Sequence, residues 1–128
     1  MVTLTPHGAA PTEAVEQAAL ARRLNAAGLV WFHVPNGGSR GSAREGASLR
    51  AAGLKAGVPD VVILSPAPGA PRGAVIELKR RPPAGRLEDV RPEQWAWLGR
   101  FAEAGFAAMV ALGCEDAVSQ LRGLGYPV

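Results

Sequence analysis

Hydrophobic and polar residues in the first part of the chain predict an amphipathic helix over residues 12–27. Leu20 and Leu24 fall on one face at helical spacing, and Glu13 and Gln17 lie at the polar end of that face. If the two leucines face the core, the two polar side chains lie at its edge.

A second amphipathic helix is predicted over residues 92–104. Pro92 suits a first helical turn, and Gln94, Leu98 and Phe101 recur at the spacing of one face. Gln94 is therefore a polar group on the inward stripe, where its amide requires hydrogen-bond partners.

Short apolar runs bounded by glycine and proline predict strands. They lie at residues 29–34, 61–64, 74–78 and 106–112. Two short helices are also expected, at about residues 43–52 and at 114–121. This order of elements favours an α/β sandwich in which helices flank a mixed central β-sheet.

Three charged residues lie at the ends of the two middle strands. Asp60 directly precedes one apolar run, and Glu77 and Lys79 share one face of the next because strand side chains alternate. Pairing the two runs through their Pro/Gly-rich connection would bring all three groups to one end of the sheet. Carboxylates are hard oxygen ligands that suit Mg²⁺ or Mn²⁺, and the backbone carbonyl of Leu78 could supply another ligand. Lys79 could orient a water or offset charge in the transition state.

At these positions the sequence resembles the PD-(D/E)xK nuclease superfamily and, within it, the virus-type replication-repair nuclease domain, VRR-NUC. The matching residues are Gly57-Val58-Pro59-Asp60, Ile76-Glu77-Leu78-Lys79, Gln94 with Trp97, and Gly105 before the last strand. The resemblance spans about residues 13–121 and implies a restriction-endonuclease-like sandwich. The sequence departs from the family pattern in its Pro-rich connection and in Glu16, where such domains often carry an apolar residue.

The resemblance implies a metal-dependent DNA endonuclease in which Asp60 and Glu77 hold the metal and Lys79 assists hydrolysis. It also implies that Gln94 lies beside the site as part of the catalytic group. An acidic residue on the first helix completes the metal shell in this family, and Glu13 is the best match. Acidic residues in a first helical turn also commonly complement the helix dipole, which is the alternative role for Glu13.

The charge pattern permits a polyanionic partner. The net charge is +3, and twelve of the fourteen basic residues are arginine. Two basic groups flank the proposed site, and we expect them to contact DNA phosphates, since arginine binds phosphate in bidentate fashion. They comprise Arg40, Arg44, Arg50 and Lys55 before Asp60, and Arg80 and Arg81 after Lys79. A solvated, flexible loop is the alternative for any single arginine of the first group.

Other classes of protein are disfavoured by what the sequence contains. Cys114 is the only cysteine, so an intrachain disulfide and a cysteine-rich zinc site are excluded. No apolar run approaches the roughly 18 residues of a membrane span, and no signal peptide is evident. We therefore expect a protein of the cytoplasm, in a bacterium or a phage-infected host cell, with no membrane association and no small-molecule cofactor. Residues 1–11 are expected to form a flexible lead-in, and residues 12–128 a single domain.

The sequence thus predicts an endonuclease that hydrolyses DNA phosphodiesters with Mg²⁺ or Mn²⁺, selective for DNA structure in replication, repair or recombination. A single small domain has one active site, so cutting both strands of a duplex or of a four-way junction would require a homodimer, as in junction resolvases. The alternative is a non-catalytic nucleic-acid-binding module, or a subunit of a larger repair or restriction complex. In that case Asp60, Glu77 and Lys79 would form an ion-paired cluster.

Overall fold

A computed structural model describes residues 10–35 and 43–128 of the chain. The helices are α1 (Glu13–Ala26), α2 (Ala43–Ala51), α3 (Pro92–Glu103) and α4 (Cys114–Leu124), with a 3₁₀ turn at Leu87–Asp89. The strands are β1 (Trp31–His33), β2 (Val61–Ile63), β3 (Ala74–Lys79) and β4 (Ala107–Leu112).

The four strands form one sheet in the order β1-β2-β3-β4. Strand β2 pairs antiparallel with both β1 and β3, whereas β3 and β4 run parallel and are connected through α3. The predicted mixed sheet flanked by helices is confirmed. The β2–β3 register pairs Val61 with Ile76, and its continuation by one residue sets Asp60 opposite Glu77.

Two apolar clusters cover the two faces of the sheet. The larger one joins α1 and α4 to the sheet and includes Leu20, Leu24, Ile76, Leu78 and Leu121, all with no exposed surface. The second packs α3 against the other face through Val62, Val75 and Leu98. Since strand side chains alternate, Leu78 faces α1, whereas Glu77 lies on the side of α3. The site at the end of β3 is thereby placed between the first turns of α1 and α3.

The ends of several elements differ from the sequence-based expectation. Strand β1 is shorter than predicted, although hydrogen bonds continue beyond it, with Val34 N–H donating to the Asp60 carbonyl at 2.7 Å. Helix α4 continues past residue 121 and includes Gly123. It ends at Gly125, whose φ of +102° is the left-handed conformation common at helix C-termini. The 3₁₀ turn was not predicted. Among the described helices, none is both long enough and apolar enough to cross a bilayer.

Candidate functional site

Three carboxylates from different elements meet at one end of the sheet. Glu13 lies in the first turn of α1, Asp60 immediately precedes β2, and Glu77 lies on β3. One oxygen of each lies within 4.8 Å of an oxygen of the other two. Glu77 is only 2% exposed, whereas Glu13 faces solvent. The acidic cluster thus has a buried carboxylate, Glu77, and a solvent-exposed one, Glu13.

The electrostatics of this cluster are those of crowded, partly desolvated acids. Burial, followed by the charge of Asp60 and a hydrogen bond to it, raises the pKa of Glu77 to about 8. Burial and the charge of Asp60 also raise the pKa of Glu13. Lys79 opposes both shifts. The Glu77 carboxyl is therefore shifted towards its protonated form, and a bound cation would oppose this shift.

Gln94 connects the acidic cluster to Lys79. Its Nε2 donates to Glu77 Oε2 at 3.2 Å, and its Oε1 accepts from Lys79 Nζ at 3.3 Å and from the Arg91 backbone N–H at 2.8 Å. Lys79 Nζ also lies 3.7 Å from Glu77 Oε2. Gln94 is 7% exposed, so its amide depends on these partners. The expected requirement for partners is met by the site's own side chains and by the N-terminus of α3.

Backbone groups fix the position of Asp60. Its Oδ2 accepts the Leu78 N–H at 2.7 Å, and its carbonyl oxygen lies 2.8 Å from Nδ1 of His33. Because a carbonyl only accepts, Nδ1 of His33 carries the proton in this contact. The proposed role of the Leu78 carbonyl as a metal ligand stays a prediction.

His33 is a neighbour of the site that sequence reasoning missed. It lines a cavity of about 470 Å³ together with Glu13, Gln17, Trp31 and Asp60. Its separation of two residues from Trp31 was the available signal, because it places both rings on one face of a strand.

The two arginines predicted to bind DNA after Lys79 have partners within the protein. Arg80 donates to the carbonyl oxygens of Pro11 at 2.9 Å and Ala10 at 2.7 Å. Arg81 binds both carboxylate oxygens of Glu16, at 2.7 and 3.3 Å. Both guanidinium groups therefore anchor the start of α1 to the end of β3. Their contact with DNA stays a prediction.

Glu16 is buried for a structural reason. It has no exposed surface, and its Oε1 also accepts the Cys114 N–H at the start of α4, at 3.0 Å. The Arg81 guanidinium lowers the pKa of Glu16 despite its burial. This ion pair was not anticipated, and it gives the buried Glu16 carboxylate a structural role.

The first basic group is described only in part. Arg44 and Arg50 are exposed on α2, and Lys55 is exposed in the segment that leads to Asp60. Arg40 lies outside the described residues. These three described side chains thus remain accessible to a polyanion.

Comparison with known proteins agrees with this geometry. The pattern of the VRR-NUC domain matches residues 11–115, which include all three clustered carboxylates, Lys79 and Gln94. A solved structure of a VRR_NUC domain protein has the same fold, with a TM-score of 0.69 and 22% sequence identity, over 91% of this chain and 89% of that one. No curated protein matches the chain. Since the domain pattern covers most of the sequence and both site strands, the chain belongs to the VRR-NUC family.

Proposed function

We propose that this protein is a metal-dependent endonuclease that hydrolyses phosphodiester bonds of DNA. Its VRR-NUC domain implies a nuclease-type family. The observation that carries the proposal is the convergence of Glu13, Asp60 and Glu77, with Lys79 beside them. The metal, the endonucleolytic reaction and the DNA substrate are parts of the proposal.

The donor set fits a small divalent cation. All three candidate side-chain ligands are carboxylates, the donors that Mg²⁺ and Mn²⁺ prefer. Ligands on opposite sides of a Mg²⁺ ion are about 4.2 Å apart, twice the ion–oxygen distance, so side chains already within 4.8 Å need only small adjustments. Burial and the neighbouring charge of Asp60 raise the pKa of Glu77, so a cation bound between these carboxylates would relieve their repulsion. Glu13, Asp60 and Glu77 would hold the ion, with the Leu78 carbonyl as a further candidate.

When bound, the cation would polarise the phosphate and lower the pKa of the water that attacks phosphorus. In the overall reaction one P–O bond forms to the water oxygen, one P–O bond to a sugar oxygen breaks, and that oxygen gains a proton. The ammonium group of Lys79 faces the acidic cluster from 3.7 Å, which positions it to offset negative charge on the pentavalent phosphorus. Gln94 holds Lys79 and Glu77 in their relative positions through its two hydrogen bonds.

The exposed basic residues Arg44, Arg50 and Lys55 are proposed to contact the DNA backbone. Such contacts carry affinity and not sequence preference, because phosphates are the same in every sequence. We further propose that the protein acts as a homodimer on branched or duplex DNA, in the cytoplasm. A dimer supplies the two active sites that cutting of both strands requires.

A nucleic-acid-binding module without catalysis is the second candidate. The 3.7 Å contact between Lys79 Nζ and Glu77 Oε2 favours it, because Lys79 compensates part of the negative charge of the cluster without a metal. The two candidates differ in their response to a divalent ion. A binding-only module binds DNA equally with Mg²⁺ or with EDTA and leaves it intact.

The test is cleavage of labelled duplex, flap, single-stranded and four-way-junction DNA with Mg²⁺, Mn²⁺ or EDTA. Asp60→Asn removes one ligand charge at constant shape and is expected to abolish cutting. Glu103→Gln is the matched control, since it removes an exposed carboxylate at the far end of α3, roughly 13.5 Å along the helix from Gln94. Cutting that persists in Asp60→Asn or in EDTA overturns the proposal. Sedimentation of a monomer, alone and with branched DNA, overturns the homodimer.

A further inference from the structure

The cavity beside the acidic cluster has features that a metal site alone does not require. Two of its lining residues, Glu13 and Asp60, belong to the cluster, so the cavity and the proposed metal site share an opening. The remainder of its wall is Ala14, Ala18 and Ala21 of α1, with Gln17, Trp31 and His33. Its volume of about 470 Å³ lies within the range of roughly 300–1,000 Å³ of small-molecule sites.

The two aromatic rings in this cavity are held by contacts at their edges. The Trp31 indole N–H donates to Asn25 Oδ1 at 2.8 Å, and His33 Nδ1 donates to the Asp60 carbonyl. Alternation along β1 places both rings on one face of the strand, and three alanines of α1 line the same cavity. A lining that combines aromatic rings with alanine methyl groups suits a flat, apolar ring.

Gln17 supplies an unused polar group to the same cavity. Its Nε2 is buried, and among the described residues it has no hydrogen-bond partner. A buried amide without a partner is costly, since most buried polar groups in proteins are paired. The Gln17 side chain lines the cavity one helical turn after Glu13, which also lines it. Rotation of the side-chain amide towards the cavity would let Nε2 donate to an acceptor on a ligand there.

We propose that this cavity binds one nucleobase of the DNA strand that is cut, stacked on Trp31 and accepting a hydrogen bond from Gln17. A nucleobase has a flat ring with hydrogen-bond acceptors, and the sugar links it to a phosphate. That phosphate would lie at the opening that the cavity shares with the acidic cluster. The inference rests on the proposed function, because the phosphate of that nucleotide would be held at the acidic cluster. A base enters the cavity only when it is unstacked, so the protein prefers DNA with an unpaired nucleotide at the cut. The proposal thus gives a physical origin for selectivity toward DNA structure.

The test is an abasic scan of a five-nucleotide single strand, with binding measured in Ca²⁺, an ion that takes the same oxygen ligands. In the wild-type protein one position should be sensitive: removal of its base should weaken binding about fivefold or more, the range of stacking on an aromatic side chain. Trp31→Ala and Gln17→Leu should each reduce this position-specific loss, and Trp31→Phe should retain it. Trp95→Ala is the matched control, because Trp95 is a half-exposed tryptophan on α3 outside the cavity.

The outcomes separate this inference from the proposed function. Ca²⁺-dependent binding that is equally tolerant of an abasic residue at every position overturns the base site and leaves the nuclease proposal intact. Failure of the strand to bind in Ca²⁺, together with absence of cleavage in Mg²⁺, overturns both. Since Trp31 also packs against the core, unchanged affinity of Trp31→Ala for the fully abasic strand verifies its fold. A position-specific loss that persists unchanged in both Trp31→Ala and Gln17→Leu contradicts the assignment of the base to this cavity.

Discussion

The two glutamates of the first turn of α1 should respond in opposite ways to the same substitution. Glu16 is fully buried and joins three parts of the chain, through Arg81 after β3 and the Cys114 N–H at the start of α4. Glu13 lies three residues earlier and belongs to the acidic cluster with Asp60 and Glu77. Glu16→Gln should therefore destabilise the fold, whereas Glu13→Gln should leave the metal-free fold at least as stable, because it removes a repulsive charge.

The expected loss for Glu16→Gln follows from its hydrogen bonds. Glutamine keeps one oxygen for the Cys114 N–H, but its amide N–H₂ then faces the donors of Arg81. Hydrogen bonds to a charged group contribute about 1.5–3 kcal/mol each. Since the Arg81 side chain is half exposed and regains water when its partner is lost, we expect a loss of about 2 kcal/mol in total. For a domain of this length that lowers Tm by roughly 6–10 °C.

Thermal melts of the wild-type protein and both variants in EDTA test this reasoning, with urea unfolding as a second measure. The pKa of Glu16 is lowered in the folded protein, so its stabilising contribution is present above the ordinary value of 4.5 and disappears as pH falls through the folded value. The difference between wild type and Glu16→Gln should consequently shrink on acidification. Equal melting temperatures at pH 7, or a larger loss for Glu13→Gln, would refute the structural role of Glu16.

Three further predictions concern the site and the core. The folded pKa of Glu77 is raised to about 8 from 4.5, so the metal-free protein should lose stability as pH rises between these values. Urea midpoints in EDTA at pH 5, 6.5 and 8 measure this slope. Glu77→Gln should reduce it, and a slope that is unchanged in the variant contradicts the raised pKa of Glu77. Lys79→Met should lower kcat by 10²-fold or more with little change in DNA affinity, because Lys79 is proposed to act in the transition state. Steady-state kinetics of this variant, with Glu103→Gln as the control, measure the effect. Leu24→Ala should cost about 2–5 kcal/mol by opening a cavity in the core, and a loss below 1 kcal/mol in urea unfolding would mean that this position repacks.

Local pattern accounts for much of the fold. Glycine and proline bound each apolar run, and the periods of two and 3.6 residues distinguish the strands from the helices. The same alternation predicts that Glu77 and Lys79 share a face, and a hairpin between β2 and β3 then sets Asp60 opposite Glu77. Because these relations involve neighbours in sequence or a single short connection, the core of the candidate site could be predicted from the sequence.

Tertiary structure alone decided the roles of residues whose partners are distant in the chain. Glu13 and Glu16 are both acidic residues of one helical turn, and only the packing of α1 against the ends of β3 and α4 directs the first to the site and the second to Arg81. The same packing commits Arg80 to carbonyl groups far away in sequence. Charge pattern shows that a side chain is ionised, but its partner depends on which surfaces the hydrophobic core brings together, and that information is non-local.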